Sequence, residues 1–452
     1  MILTKEESKR IIDKVLSLTK AQDCEVSVSG DDNVQTRFAN NSITTSGKHN
    51  SVTVSVSVTT NEKRSGSTST NETSDEALRA AVAKAEELAS LSPPDGEYIE
   101  PLGPQKYPEI ASFDTATAKA NHASLIPGVK AAVGAAEAKQ LQASGFYTVS
   151  AISRSFGNNK GNFGYGTRTT ADLSMTARTA DGRGSGWASA DSNKLSAIPA
   201  ATLAKTAVEK SVLSQNPRKL DPGKYTVILE AAAVRELLPL ISGAFNARNA
   251  EEGRSFFSKR GGGTRLGEKI FSDKVTLRSD PFDPRNPGLP WGGGGGFGGG
   301  GGFGGGANSL PAAKMTWIEN GVVKNLSYNR YWAQHKNVAP TVGLGSLILE
   351  GEDHSLEDLI KSTEKGLLVT HFWYIRTVNP QTVQNTGLTR DGVFMIENGK
   401  IAYPVNNFRW NESPVNLLTN VEMMSRSQRV DGMLLPDMKV RDFNMSSISD
   451  AI

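Results

Sequence analysis

The chain has 452 residues, of which 37% are hydrophobic and 21% charged; this mix excludes a disordered tail or a fibre and suits two to four folded domains. Its 50 Lys and Arg against 47 Asp and Glu leave a net charge of +3, too even to mark a surface for direct nucleic-acid contact. Cys24 is the single cysteine, which excludes an internal disulfide and any zinc site that needs two thiolates.

The amino terminus runs straight into an amphipathic pattern, without the layout of a signal peptide. No stretch offers the ~20 apolar residues of a membrane span; the best, Tyr225 to Phe245, is broken by Glu230, Arg235 and Glu236. The expectation is a cytoplasmic protein with no membrane contact.

Thr4 and Glu7 form a capping box before a helix whose apolar face is Ile11, Ile12, Val15 and Leu16. Alternation at Glu25-Val-Ser-Val and Val52-Thr-Val-Ser-Val-Ser-Val predicts half-buried strands, with a turn at Asn40-Asn41 between them. Thr73 and Glu76 suggest a second capping box, ahead of a stripe of Leu78, Val82, Ala85 and Leu88. Residues 1–92 thus read as an α+β domain. The proline-rich run 93–114 reads as a linker.

Residues 115–218 read as a β-rich middle domain with flanking helices. An Ala-rich helical stretch, 115–143, is interrupted by Pro127-Gly128. Turns at Asn158–Gly161 and Asp181–Gly184 separate Ser/Thr-rich strands, and a helix near 199–213 closes the region. Residues 219–452 read as a mixed C-terminal domain dominated by antiparallel sheet. It opens with a strand at Tyr225–Leu229 and a helix over about 231–244, and contains Glu-Asn-Gly hairpin turns at 319–321 and 397–399. Ser355 with Asp358 caps a short helix, and 367–376 is an apolar strand. From Gly292 to Gly306 only Phe297 and Phe303 are not glycine; a flexible surface loop fits better than a phosphate cradle, which needs a flanking strand and helix N-terminus.

The familiar catalytic signatures are missing. There is no G-x-x-x-x-G-K-[ST], no G-x-S-x-G and no H-E-x-x-H. The acidic run Glu350-Gly-Glu-Asp-His354 admits a hard-metal reading, against an acidic loop leading into the Ser355-capped helix. His371 sits in Val369–Arg376, where simple alternation sets His371, Trp373 and Ile375 on one face and Thr370, Phe372, Tyr374 and Arg376 on the other. The alternative for His371 is a hydrogen-bonded structural histidine. Trp332, Trp373 and Trp410 read as core residues.

Several stretches, in this order, carry a family resemblance. They are Thr36-Arg-Phe-Ala-Asn-Asn-Ser-Ile-Thr, the helix Thr73–Leu91, Glu319-Asn-Gly-Val-Val-Lys-Asn, and Thr386-Gly-Leu-Thr-Arg-Asp-Gly-Val-Phe-Met-Ile-Glu-Asn-Gly-Lys-Ile. The last is the ending Met438-Lys-Val-Arg-Asp-Phe-Asn-Met-Ser-Ser. Together they resemble the TldD/PmbA (TldD/TldE) family over nearly the whole chain. That resemblance implies a zinc metallopeptidase of two related chains. The catalytic TldD type carries H-E-x-x-x-H on a helix just after a strand, with a later cysteine as third ligand. Here the matching segment, Val234-Arg-Glu-Leu-Leu-Pro-Leu-Ile-Ser-Gly, has no histidine, and Cys24 lies in another domain. The resemblance therefore points to the TldE/PmbA-type subunit.

On that reading the chain has no catalytic or metal-ligating residue and no cofactor of its own, zinc being expected in the partner. It pairs with a TldD-type paralogue, or with itself in the paralogue's absence, and helps hold an unfolded or small peptide. Candidates for lining the peptide channel are Thr370, His371, Tyr374 and Arg376 with Thr389, Arg390 and Asp391. Two alternatives stay open: a stand-alone metal-dependent peptidase, and a non-enzymatic binding protein such as a modulator of DNA gyrase.

Overall fold

The computed structural model describes residues 1–292 and 309–450. The glycine-run expectation falls, apart from Gly292, outside the described residues.

The N-terminal and middle regions share one antiparallel sheet. Its strands, in spatial order, are Ser65–Thr70, Ser42–Thr59, Asp23–Ala39, Gln142–Asn158, Phe163–Arg178 and Ser185–Ser192. The join is the pairing of Asp23–Ala39 with Gln142–Asn158, continuous from Glu25↔Asn158 to Phe38↔Gly145. Cys24, Val26, Val28, Val34 and Phe38 are buried at alternate positions, so the helices cover one face. Lys5–Leu18 and Asp75–Leu91 pack on the first half. His122–Glu137 and Ala200–Leu213 pack on the second.

Local chemistry explains most boundaries. The Thr4–Glu7 capping box is present. Asn40 and Asn41 both take positive φ, 49° and 62°, the geometry of a two-residue hairpin turn. Two expectations change. Ser74, not Thr73, caps Asp75–Leu91, its side chain accepting from the Ala77 N–H. The helix His122–Glu137 continues past Pro127; the loss of one N–H is offset by burial of Leu125, Val129, Ala132 and Ala136 against the sheet.

The C-terminal region holds two sheets. Five strands, Gly223–Leu229, Lys365–Asn379, Gln384–Glu397, Asn407–Glu412 and Met438–Ser449, pair in a closed ring. Phe372, Trp410 and Phe443, each 2% exposed or less, pack together inside it. The second sheet has six short strands in the order Val322–Val323, Met315–Glu319, Leu277–Ser279, Leu347–Leu349, Met433–Leu435 and Gln428–Val430. Both Glu-Asn-Gly turns join antiparallel strands, with positive φ at Asn320, Gly321, Asn398 and Gly399. The expected helix over 231–244 is α-helical only for Ala231–Leu237 and continues as a 3₁₀ turn, Leu238–Phe245, because Pro239 has no N–H to continue the ladder.

Candidate functional site

The candidate residues lie on the long hairpin Lys365–Asn379 and Gln384–Glu397. Two irregularities in its register decide where they point. Val369 pairs with Val393 and His371 with Arg390, so Asp391 and Gly392 together face Thr370. Asp391 adopts φ 58° and Gly392 φ 126°, a bulge that turns the Asp391 carboxylate out of the normal alternation. Thr370 is fully buried and donates from Oγ1 to the carbonyls of Asp391 and Gly392, at 3.1 and 3.2 Å. The bulge is thereby held in place.

Asp391, 3% exposed, faces the strand Ser185–Ser192. One carboxylate oxygen accepts from Ser185 Oγ, and the other lies 3.1 Å from His371 Nδ1. The His371 ring stacks on Trp187, with centroids 4.3 Å apart and planes 5° from parallel. Burial opposes ionisation of Asp391, but the His371 and Ser185 hydrogen bonds and the Arg390 charge outweigh it and hold the carboxyl below its ordinary pKa.

A second polar group lies on the same domain seam. Lys210 of the helix Ala200–Leu213 reaches Glu230 Oε2 at 2.6 Å, with both side chains largely buried (13% and 15% exposed). The helix comes this close to its sheet because Gly186 lies beneath it; a Cβ there would stand 2.2 Å from the Ala207 carbonyl oxygen. Glu230 ends the strand Gly223–Leu229 and precedes Ala231–Leu237. Burial raises its pKa; the Lys210 charge and hydrogen bond pull the other way, and the nearby Asp437 carboxylate adds to the rise. Asp437 accepts from the Ala231 N–H at 2.7 Å and from Ser425 Oγ at 2.9 Å, and burial raises its pKa as well. The arrangement is a desolvated, paired seam able to hold two domains in one orientation.

The structure thus brings Thr370, His371, Arg390 and Asp391 together and adds Ser185, Trp187, Lys210, Glu230 and Asp437. These five were missed because they come from four separated segments. The one available signal was Glu230, a charge closing an otherwise apolar strand. Thr389 is fully buried and serves the barrel instead: its Oγ1 donates to Asn407 Oδ1 at 3.0 Å and accepts from the Phe408 N–H at 2.8 Å.

Tyr374 and Arg376 lie away from the seam. Trp373 pairs with Leu388 and Arg376 with Thr386, so Tyr374 and Ile375 together oppose Gly387. The extra residue breaks the simple two-face alternation. Thr370 and Phe372 are buried and Ile375 packs against the core, whereas Trp373 and Tyr374 are 49% and 55% exposed. Trp373 is therefore not a core residue, unlike Trp332 (8%) and Trp410 (0%). The acidic run is occupied by cations: Glu350 pairs with Arg278 at 2.6 Å, Glu352 with Lys274 at 2.5 Å, and Asp353 with Arg426. Among the described residues, no three His, Cys, Asp or Glu side chains are grouped to hold a metal, and no helix is long and apolar enough to cross a membrane.

Comparison with known proteins places this architecture. Residues 24–89 match domain 1, 108–215 the central domain, and 222–447 the C-terminal domain of the PmbA/TldA metallopeptidases. No curated protein matches the chain in sequence. Among solved structures, TldE from Thermococcus kodakarensis superposes with a TM-score of 0.83 at 20% identity, covering 96% of this chain and 99% of that one. A chain from Thermotoga maritima described as a modulator of a DNA gyrase gives 0.82 at 17% identity, with 96% and 99% covered. A similarly described chain from Bacteroides thetaiotaomicron gives 0.80 at 20% identity, with 99% and 100% covered. With all three domains matched in order, the chain belongs to the PmbA/TldD metallopeptidase family.

Proposed function

We propose that this chain is the non-catalytic, TldE-like subunit of a cytoplasmic two-chain zinc peptidase that acts on unfolded or small peptides. In this reading it pairs with a zinc-bearing relative, steadies it and forms part of the peptide channel. The observation that carries the proposal is the segment after the strand Gly223–Leu229. The catalytic type of the family is expected to present two histidines and a glutamate there. Here Ala231–Leu237 and its extension to Phe245 contain no histidine and begin with three alanines.

The residues around that segment do not fit zinc. Three protein ligands and an open position are needed to activate a water. Glu236, the one carboxylate on the segment itself, lies 3.8 Å from Arg235; Glu230, just before it, is held by the Lys210 ammonium, and Asp437 is engaged by the Ala231 N–H and Ser425. Cys24 is buried in the other sheet, where desolvation pushes its thiol up to about 12. No metal-dependent step is assigned to this chain.

The test is hydrolysis of an unstructured peptide, with bound zinc measured in the same samples. The purified chain alone is expected to show neither turnover nor zinc above background; mixed with a zinc-bearing relative from the same cells, it is expected to give both. Turnover by the chain alone that is lost on chelation would overturn the proposal.

A further inference from the structure

The outer part of the long hairpin has a composition and geometry that the domain seam does not explain. Its bulge inserts Tyr374 between Trp373 and Ile375, at φ 53°. A bulky aromatic residue in the left-handed region is strained. The strain has a clear geometric result. Ile375 stays packed against the barrel core while two consecutive rings, Trp373 and Tyr374, lie at the surface. Gly387, opposite the bulge, makes this possible, since a Cβ there would stand 2.4 Å from Trp410 and 3.1 Å from Ile375.

Each exposed ring carries an arginine. The Arg390 guanidinium lies 4.6 Å from the Trp373 centroid, and that of Arg376 lies 4.3 Å from the Tyr374 centroid. Val378, 57% exposed, extends the apolar surface outward. Residues 373–390 contain these two arginines and no Asp or Glu. The pairing of this strand with Gly223–Leu229 ends at Val369, and among the described residues no strand covers that edge of the exposed part. Trp, Tyr and Arg gathered on one exposed strand are the residue types that dominate binding energy at protein interfaces.

We infer that the exposed stretch Trp373–Val378 is a docking surface for the zinc-bearing subunit, its two rings entering an apolar recess rimmed by carboxylates. The inference rests on the two-chain reading above. Arg390 already faces the Asp391 carboxylate at 3.8 Å, so it is the Arg376 charge, with no Asp or Glu among residues 373–390, that calls for an acidic rim. The bulge fixes the backbone that presents both rings, and the arginine stacked on each narrows the freedom it has to lose on association.

The test measures the dissociation constant of the two-chain complex by sedimentation velocity, for the native chain and for Trp373→Ala, Tyr374→Gly and Arg376→Glu. Glycine at 374 accepts positive φ, so that variant deletes the ring and keeps the bulge. Each ring deletion is expected to weaken the complex by about 30-fold or more. Arg376→Glu is expected to weaken it more at low salt than at high salt. The melting midpoint of each variant alone is expected to fall no more than about 2 °C below that of the native chain, which separates lost docking from lost folding. A native complex whose affinity none of the variants changes would overturn the docking surface and leave the two-chain reading standing. If no complex with a zinc-bearing relative forms, both fall. Variants that abolish self-association or peptide binding, with the two-chain affinity unchanged, would overturn the assigned partner.

Discussion

Replacing Lys210 with methionine removes the cation from a buried carboxylate while keeping most of the side chain's volume. The pair is 2.6 Å long and mostly shielded from water. Deleting one member of such a pair typically costs about 3–5 kcal/mol, because the other charge is left uncompensated. For a domain the size of residues 222–447, about 2–4 °C per kcal/mol predicts a fall in melting midpoint of about 6–20 °C. The pH dependence is the sharper test. Glu230 already has a raised pKa in the folded chain, from burial first, with Lys210 opposing. A carboxyl of this kind costs stability only where it is ionised. The cost is absent below the unfolded value of ~4.3 and grows as pH rises toward the folded value. Without Lys210 the folded pKa rises further, so the variant's deficit is largest near pH ~7 and shrinks toward pH ~5. Differential scanning fluorimetry across that range measures it. Adding Glu230→Gln to the variant is expected to restore most of the loss at pH ~7. A deficit that stays the same from pH ~5 to ~7, or that the second change deepens, would refute the reasoning.

Three further outcomes follow from the same geometry. Asp391→Asn removes a carboxylate whose folded pKa is lowered, so its contribution of about 1–3 kcal/mol is present above ~3.9 and is lost as pH falls through the folded value. Melts of variant and native chain are expected to differ near neutrality and converge in acid. Gly387→Ala places a methyl 2.4 Å from the buried Trp410 ring, and the overpacked barrel is expected to lose about 1–3 kcal/mol by urea titration. Cys24, fully buried with its thiol pushed up to about 12, is expected to resist a thiol reagent in the native chain and to react at the rate at which the N-terminal sheet opens. Prompt labelling under native conditions would contradict its placement.

How much of this was legible in the sequence follows from the range of the forces involved. Caps and two-residue turns are local, so Thr4 with Glu7, Ser355 with Asp358, and the Asn-Gly turns at 320 and 398 could be read directly. The α+β class followed from periodicity for the same reason. Tertiary packing decided the rest. Burial of its apolar face carried the helix past Pro127. One inserted residue at Tyr374 moved Trp373 and Tyr374 to the surface together, and no pattern with a period of two anticipates a bulge. His371 and Asp391 were visible as candidates because they share a hairpin. Their partners Ser185 and Trp187 were not, because the contact spans separate domains and leaves no trace in spacing. The absence of histidine from Ala231–Phe245 needed no structure, but the buried Lys210 beside Glu230 did.

The central claim, that this chain works as the metal-free half of a pair, is tested most directly by a native mass spectrum of the tagged chain isolated from its own cells. The account predicts a complex with a second chain of similar size that carries one zinc, the metal leaving with the partner when the complex is dissociated. A homodimer, or a single chain that retains zinc, would contradict it.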